Sequence, residues 1–163
     1  MKKLLLFTTV LFLAFTTAQA QNFKLGVSGA LPVGDFSDGY GFGAQLDLTY
    51  LIEVNEAFHV GPMASLLYYN GSDETILGIT YEIEDALFLP IGGSARFSLD
   101  EFFFGADLGY GIGISPDGND GGFFYRPKVG YSFGNVGVIL SYSGVSMDGA
   151  TFSSVNGGVE FSL

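Results

Sequence analysis

Apolar and polar residues alternate along nearly the whole chain beyond residue 21. In 40–52, Phe42, Ala44, Leu46, Leu48 and Tyr50 stand opposite Gly43, Gln45, Asp47 and Thr49. A period of two is the signature of a strand with two unlike faces. Eight such segments can be read: 22–31, 40–52, 57–69, 86–99, 102–114, 123–133, 136–146 and 153–163. In the fifth, Phe102, Phe104, Ala106, Leu108, Tyr110, Ile112 and Ile114 oppose a column of glycines interrupted by Asp107. The eighth carries the alternation to the last residue, in "VNGGVEFSL".

The connections alternate too. Those after the second, fourth and sixth segments are short: "EVNEA", "DE" and "GN". Gly134-Asn135 is a strong two-residue hairpin signal. Those after the first, third, fifth and seventh are longer and polar: "PVGDFSDG", residues 70–85, "SPDGNDGG" and "MDGATF". Short turns at one end and long loops at the other fit an antiparallel up-and-down barrel in an outer membrane. An even strand count puts both termini at the short-turn, periplasmic end. Segment 70–85 has its own alternation, with Ile79, Tyr81 and Ile83 against Thr80, Glu82 and Glu84. It is read as the projecting tip of the hairpin between strands three and four, and a ten-strand count is the alternative. Pro62, Pro90 and Pro127 fall inside strands, remove ladder donors, and predict bulges.

Which face meets water follows from side-chain size. The polar face is mostly Gly, Ser, Thr and Ala, and the apolar face is bulky. Small residues fit the narrow interior of an eight-strand barrel, whereas bulky residues facing lipid have no volume limit. A soluble barrel, the alternative, would carry many charges along its outer face. The aromatics predict two interfacial girdles. Phe23, Tyr50, Phe58, Phe97, Phe102, Phe133 and Phe161 mark the short-turn ends, and Phe42, Tyr68, Phe88, Phe123 and Tyr142 the long-loop ends.

The N-terminus adds a destination. Lys2 and Lys3, the apolar run Leu4–Phe15 and Ala18-Gln19-Ala20 form a secretory signal peptide over residues 1–20, leaving a barrel domain over 21–163. The run is too short for a membrane helix, which needs about 20 residues. No cysteine is present, so thiol chemistry is excluded. The remaining chain keeps four bases against seventeen acids, a formal charge near −13. Nucleic acid is not an expected partner, because phosphate binding needs a basic patch.

On the signal peptide, "LPIGGSARFSL" in strand four and the terminal "GVEFSL", the chain resembles the small outer-membrane β-barrel proteins of the Bacteroidota. It is similar more broadly to the OmpA-like, OmpX-like and OmpW-like eight-strand barrels. The resemblance covers the whole chain and implies insertion by the barrel-assembly machinery, which reads a closing strand ending near an aromatic. Here Leu163, not Phe, is last, with Phe161 two residues before it.

The charges give the candidate site. By parity Lys24, Arg96, Arg126 and Lys128 face the lumen, as do Asp47, Asp107 and Glu160. Buried charges must pair or they are costly, so these seven are expected to form a salt-bridged plug. The alternative is a narrow charge-lined pore. The other fourteen acids fall in loops and turns. Asp73, Glu74, Glu82, Glu84 and Asp85 make loop 70–85 the candidate contact surface. A hard-cation site among acidic loops is conceivable, but no EF-hand spacing is present and a solvated surface is the plainer reading.

His59, the one histidine, is read as a lumen residue near the periplasmic end, badly placed for lipid-modifying chemistry. No nucleophile motif, metal cluster or phosphate loop occurs. No catalytic residue, cofactor or metal is expected. The sequence thus predicts a non-enzymatic, Sec-exported envelope protein, monomeric, with outer-membrane lipid and the assembly machinery as partners and an unknown extracellular one. A channel for small solutes or small apolar molecules is the alternative, and a lipid-acting enzyme using His59 the third reading.

Overall fold

The computed structural model describes residues 22–72, 74–76, 79–81 and 83–163, the side chains of 74–76 and 79–81 excepted. The segment read as a signal peptide lies outside them. Eight long strands form the molecule: β1 (Phe23–Val33), β2 (Tyr40–Tyr50), β3 (Phe58–Gly71), β4 (Ala86–Leu99), β5 (Phe102–Ser115), β6 (Gly122–Phe133), β7 (Val136–Met147) and β8 (Ala150–Ser162). Each pairs antiparallel with the next, and β1 pairs with β8 from Lys24↔Ser162 to Val33↔Ser153. The sheet therefore closes, leaving no free edge. The C-terminus takes part in the closure, with the Leu163 amide donating to the Phe23 carbonyl at 3.0 Å.

The period of two sorts side chains by size. Val27, Leu46, Leu48, Ile91, Phe104, Leu108, Ile112, Val138 and Leu140 point outward and are exposed. Ser28, Gln45, Asp47, Thr49, Ser65, Ser94, Ser141 and Asn156 point inward and are buried. Such a continuous apolar exterior would aggregate in water and matches the lipid-facing band of a transmembrane barrel. At its rim Phe97, Phe102, Phe133 and Phe161 are exposed at one end, and Phe42, Phe123 and Tyr142 at the other.

Turn chemistry follows local sequence. Gly134 takes φ +65° between Phe133 and its partner Val136, a conformation glycine adopts without strain. Asp100 takes φ 54° in the equally tight β4–β5 turn, where Leu99 pairs with Phe102. In the β2–β3 connection, Asn55 Oδ1 accepts from the amides of Ala57 and Phe58 at 3.1 and 3.0 Å.

Three expectations need correction. The "MDGATF" loop is a two-residue turn: Met147 pairs with Ala150, Gly149 takes φ +88°, and β8 begins at 150 rather than 153. The three prolines do not coincide with bulges. Pairs flanking Pro90 (Ala64↔Ile91 and Leu67↔Phe88) keep one frame, as do those flanking Pro127 (Ser141↔Lys128 and Gly144↔Tyr125). Pairs flanking Pro62, Thr49↔Met63 and Ile52↔Val60, keep theirs too. The register shifts lie elsewhere, between Tyr40 and Phe42 and between Leu87 and Phe88. Each proline lapses a ladder pair without adding a residue. Segment 70–85, by contrast, adds no barrel strand, as the hairpin-tip reading expects and against the ten-strand alternative; its short ladder, Glu74–Ile76 with Ile79–Tyr81, is a separate two-stranded sheet. Finally, Phe88 is not a girdle residue: it is buried inside the barrel.

Candidate functional site

The interior is built in levels along the barrel axis. At the middle level, register sets Asp107 of β5 opposite Arg126 of β6 and Ser94 of β4. Arg126 Nε donates to Asp107 Oδ2 at 2.7 Å, and its Nη2 lies 2.5 Å from the same oxygen. Lys128 Nζ meets Asp107 Oδ1 at 2.8 Å. Arg126 Nη1 reaches across the lumen to Asp47 Oδ1 of β2 at 2.5 Å. Nearer the short turns, Arg96 of β4 crosses to Glu160 of β8 in a bidentate pair, Nη1–Oε1 at 2.7 Å and Nη2–Oε2 at 2.6 Å. Planar two-point pairs of this kind are the strong form of a charge-assisted bond. The Arg96 guanidinium also lies 4.0 Å from the ring centre of Phe103, within cation–π range.

These six charges, three of each sign, are all buried. Lys24 stands apart from the ion pairs: it is half-buried and donates to Ser162 Oγ at 2.6 Å. Glycines make room for the long side chains. A Cβ on Gly105 would lie 3.1 Å from Lys128 Cε, and one on Gly26 would lie 3.1 Å from Asp47 Oδ2.

Above the charges a chain of neutral bonds continues. Asp47 Oδ1 also accepts from Ser65 Oγ at 2.5 Å and Gln45 Nε2 at 2.7 Å. Ser143 Oγ donates to Gln45 Oε1 at 3.2 Å, and Asn156 Nδ2 donates to Ser143 Oγ at 2.5 Å. Ser154 Oγ donates to Asn156 Oδ1 at 2.9 Å and meets the Tyr69 hydroxyl at 2.8 Å. The network thus runs without a break from Lys128 to Tyr69.

At the long-loop end the interior turns apolar. Phe152 of β8 is the hub, its ring centre 4.5 Å from Tyr69, 4.7 Å from Phe36, 4.8 Å from Tyr40 and 5.4 Å from Phe88. Ala30, Met63, Leu67, Ala86, Phe124 and Val145 complete the cluster, and Met147 packs against it. This layer is not apparent from the alternation as read above. The alternation places Phe152 in a loop and Phe88 in a girdle, and it gives no lumen role to Phe103. Parity alone would have found them: Phe88 shares a face with Ser94 and Arg96, Phe103 with Asp107, and Phe152 with Ser154 and Asn156.

His59 lines a cavity of about 140 Å³ at the short-turn mouth, with Lys24, Arg96, Ser98, Phe103 and Ser132. Asp47 and Ser65 bond to each other one level higher, so they do not assemble a triad with it.

In the loop surface, Glu84 and Asp85 are exposed. Asp85 Oδ1 accepts from the Gly71 amide at 2.9 Å and its Oδ2 from the Tyr68 hydroxyl at 2.8 Å. The Gly71 amide bond, reinforced by Tyr68, holds the Asp85 carboxyl below the usual aspartate range. Asp73 and Glu82 lie outside the described residues, and of Glu74 only the backbone is described. Among the described residues no three His, Asp or Glu side chains converge to hold a metal ion.

No family model matches the chain, and no curated protein matches it. Among solved structures it is similar to the Yersinia pestis outer membrane protein Ail in a phospholipid bilayer nanodisc. The TM-score is 0.57 at 16% identity, over 85% of this chain and 97% of that one. The crystal structure of Ail, described as the attachment invasion locus protein, gives 0.54 at 15%, over 85% and 95%. The KdgM porin in complex with disordered oligogalacturonate gives 0.37 at 14%, over 86% and 99%. At such identities the likeness to Ail is one of fold: this chain is built as a closed eight-stranded antiparallel barrel of the outer-membrane type.

Proposed function

We propose that the protein is a non-enzymatic surface-interaction protein of the outer membrane of a diderm bacterium, allied to the small Bacteroidota-type barrels. On this reading it is exported by the Sec route, inserted by the barrel-assembly machinery, and anchored as a monomer in lipid while its loops make the contacts. One observation carries the reading. The interior is filled at successive levels by paired charges, a polar network and an aromatic cluster, which leaves little room for a solute path. Function then falls to the loops.

The long-loop connections hold ten of the seventeen acids and none of the six bases. Such a field favours a basic partner surface and disfavours anionic ones. The attachment named for Ail is in keeping with this assignment. The test pairs two measurements on refolded barrel, its folding followed by the gel-mobility shift between unheated and boiled samples. Proteoliposomes should pass no more solute than empty vesicles. Replacing residues 72–85 by an Asn-Gly turn should leave folding intact and abolish adhesion of cells displaying the protein to a basic surface. Solute flux that responds to Arg96→Ala or Arg126→Ala would instead make the lumen a channel and retire the closed interior.

A further inference from the structure

The cavity at the short-turn mouth gathers two of the three buried side-chain atoms that have no hydrogen-bond partner among the described residues; the third, Asp107 Oδ1, lies at the middle level, 2.8 Å from the Lys128 ammonium. These two, His59 Nδ1 and Arg96 Nε, belong to side chains that line the cavity. Buried polar atoms are nearly always partnered, so each orphan calls for an explanation. Arg96 itself is 5% exposed, and both of its terminal nitrogens are committed to Glu160. Its Nε–H remains a directed donor with no acceptor among the described residues.

The surrounding chemistry says what kind of group fits. Lys24 has three N–H donors and gives one to Ser162. The Ser98 and Ser132 hydroxyls line the same space. Arg96 is neutralised by Glu160 at 2.6 Å, whereas Lys24 has no carboxylate within ion-pair distance among the described residues. The cavity therefore holds one cation without an ion-pair partner, on which Glu160 acts only from beyond ion-pair distance, and a surplus of donors. Asp100 and Glu101 sit on the rim, in the exposed β4–β5 turn, and also line the cavity. They oppose anion entry from solution but are screened by salt, so they lower affinity without removing the inner donors. A volume of about 140 Å³ admits a group of several non-hydrogen atoms.

We propose that this mouth binds a phosphate-type oxyanion, held by Arg96 Nε, the Lys24 ammonium and His59. The same chemistry is presented by free phosphate and by a lipid phosphate headgroup, and the test separates them. Refolded, ¹⁵N-labelled barrel in a phosphate-free detergent is titrated with inorganic phosphate, and separately with short-chain phosphatidic acid. The readout is the Arg96 Nε–H resonance. The chain has only one other arginine, Arg126, whose Nε is bonded to Asp107 and serves as an internal control.

The expected result is a saturable shift of the Arg96 resonance with the Arg126 resonance still. Movement with both ligands supports the site for either source, and movement with phosphatidic acid alone supports it as a headgroup site. Lys24→Gln should weaken binding about tenfold, the loss of one charge-assisted hydrogen bond. Ser98→Leu, which fills the cavity, should abolish the shift while the gel-mobility change of the folded barrel persists. No saturable shift from either ligand in folded protein overturns the proposal. So does a shift that survives unchanged in both variants, which would place the anion elsewhere.

Discussion

Asp107→Asn tests how the interior is held together. Asp107 is 0% exposed and receives Arg126 and Lys128 together. At 2.8 Å the Lys128–Asp107 pair has a gross attraction of about 6 kcal/mol at an effective dielectric of about 20. Removing the carboxylate also removes its own desolvation cost, so the net loss is smaller than the gross attraction. Breaking a buried pair from one side costs about 3–5 kcal/mol, because the partner is left charged and dry. Two cations share Asp107, which places the single variant toward the top of that range.

The charge count then makes a sharper prediction. Three buried cations face three buried anions. Asp107→Asn leaves an excess of one positive charge, and adding Lys128→Met removes it. Arg126 keeps Asp47 and Arg96 keeps Glu160, so every remaining buried charge has its own partner. The double variant should recover most of the stability lost by the single one. The chain has no tryptophan, so urea unfolding of the detergent-refolded barrel is followed by far-ultraviolet circular dichroism and the gel-mobility shift. A double variant no more stable than Asp107→Asn alone would refute the account, since removing the stranded charge would then have gained nothing.

Other predictions follow from separate parts of the barrel. Phe88→Ala opens a cavity in the aromatic cluster and should cost about 3–5 kcal/mol, whereas the outward Phe104→Ala should cost clearly less, because lipid chains fill the space. Gly130→Ala drives a methyl group against the Phe103 ring and the Val138 carbonyl, with an expected cost of about 1–3 kcal/mol in the same unfolding assay. Asp85 gives a pH prediction. Its folded pKa is depressed, so its anchoring of Gly71 is present above the ordinary value of 3.8 and is lost as pH falls through the lower folded value. The Gly71 amide shift should therefore titrate with a midpoint below 3.8 and should not titrate in Asp85→Asn. A midpoint at or above 3.8 would contradict the bond geometry.

The fold was legible because a barrel is an unusually local code. Period two, turn residues such as Gly134-Asn135 and the inverted size pattern each act within a few positions, and together they specify eight strands and which face meets lipid. The set of inward charges was legible for the same reason: parity assigns a face without any knowledge of partners. Parity also contained Phe88, Phe103 and Phe152. Phe88 misleads because aromatic residues near strand ends suggest girdles, Phe103 because it stands on a face that is otherwise mostly glycine, and Phe152 because "MDGATF" looks like a loop until Gly149 closes a two-residue turn.

Partners are a different matter. Arg126 reaches Asp47 and Arg96 reaches Glu160 across the lumen, between strands that are not neighbours in the sheet. Those pairings depend on barrel diameter and strand stagger, which no single segment encodes. The sequence by itself determined that the chain closes into a barrel, apolar outside and polar within, because strand periodicity and side-chain volume are local properties. Only the tertiary structure decided which charges meet, where the polar network gives way to aromatics, and that His59 and Arg96 keep unpartnered nitrogens beside one cavity. Those features arise from distances across a closed interior, and they exist only once β8 has paired with β1.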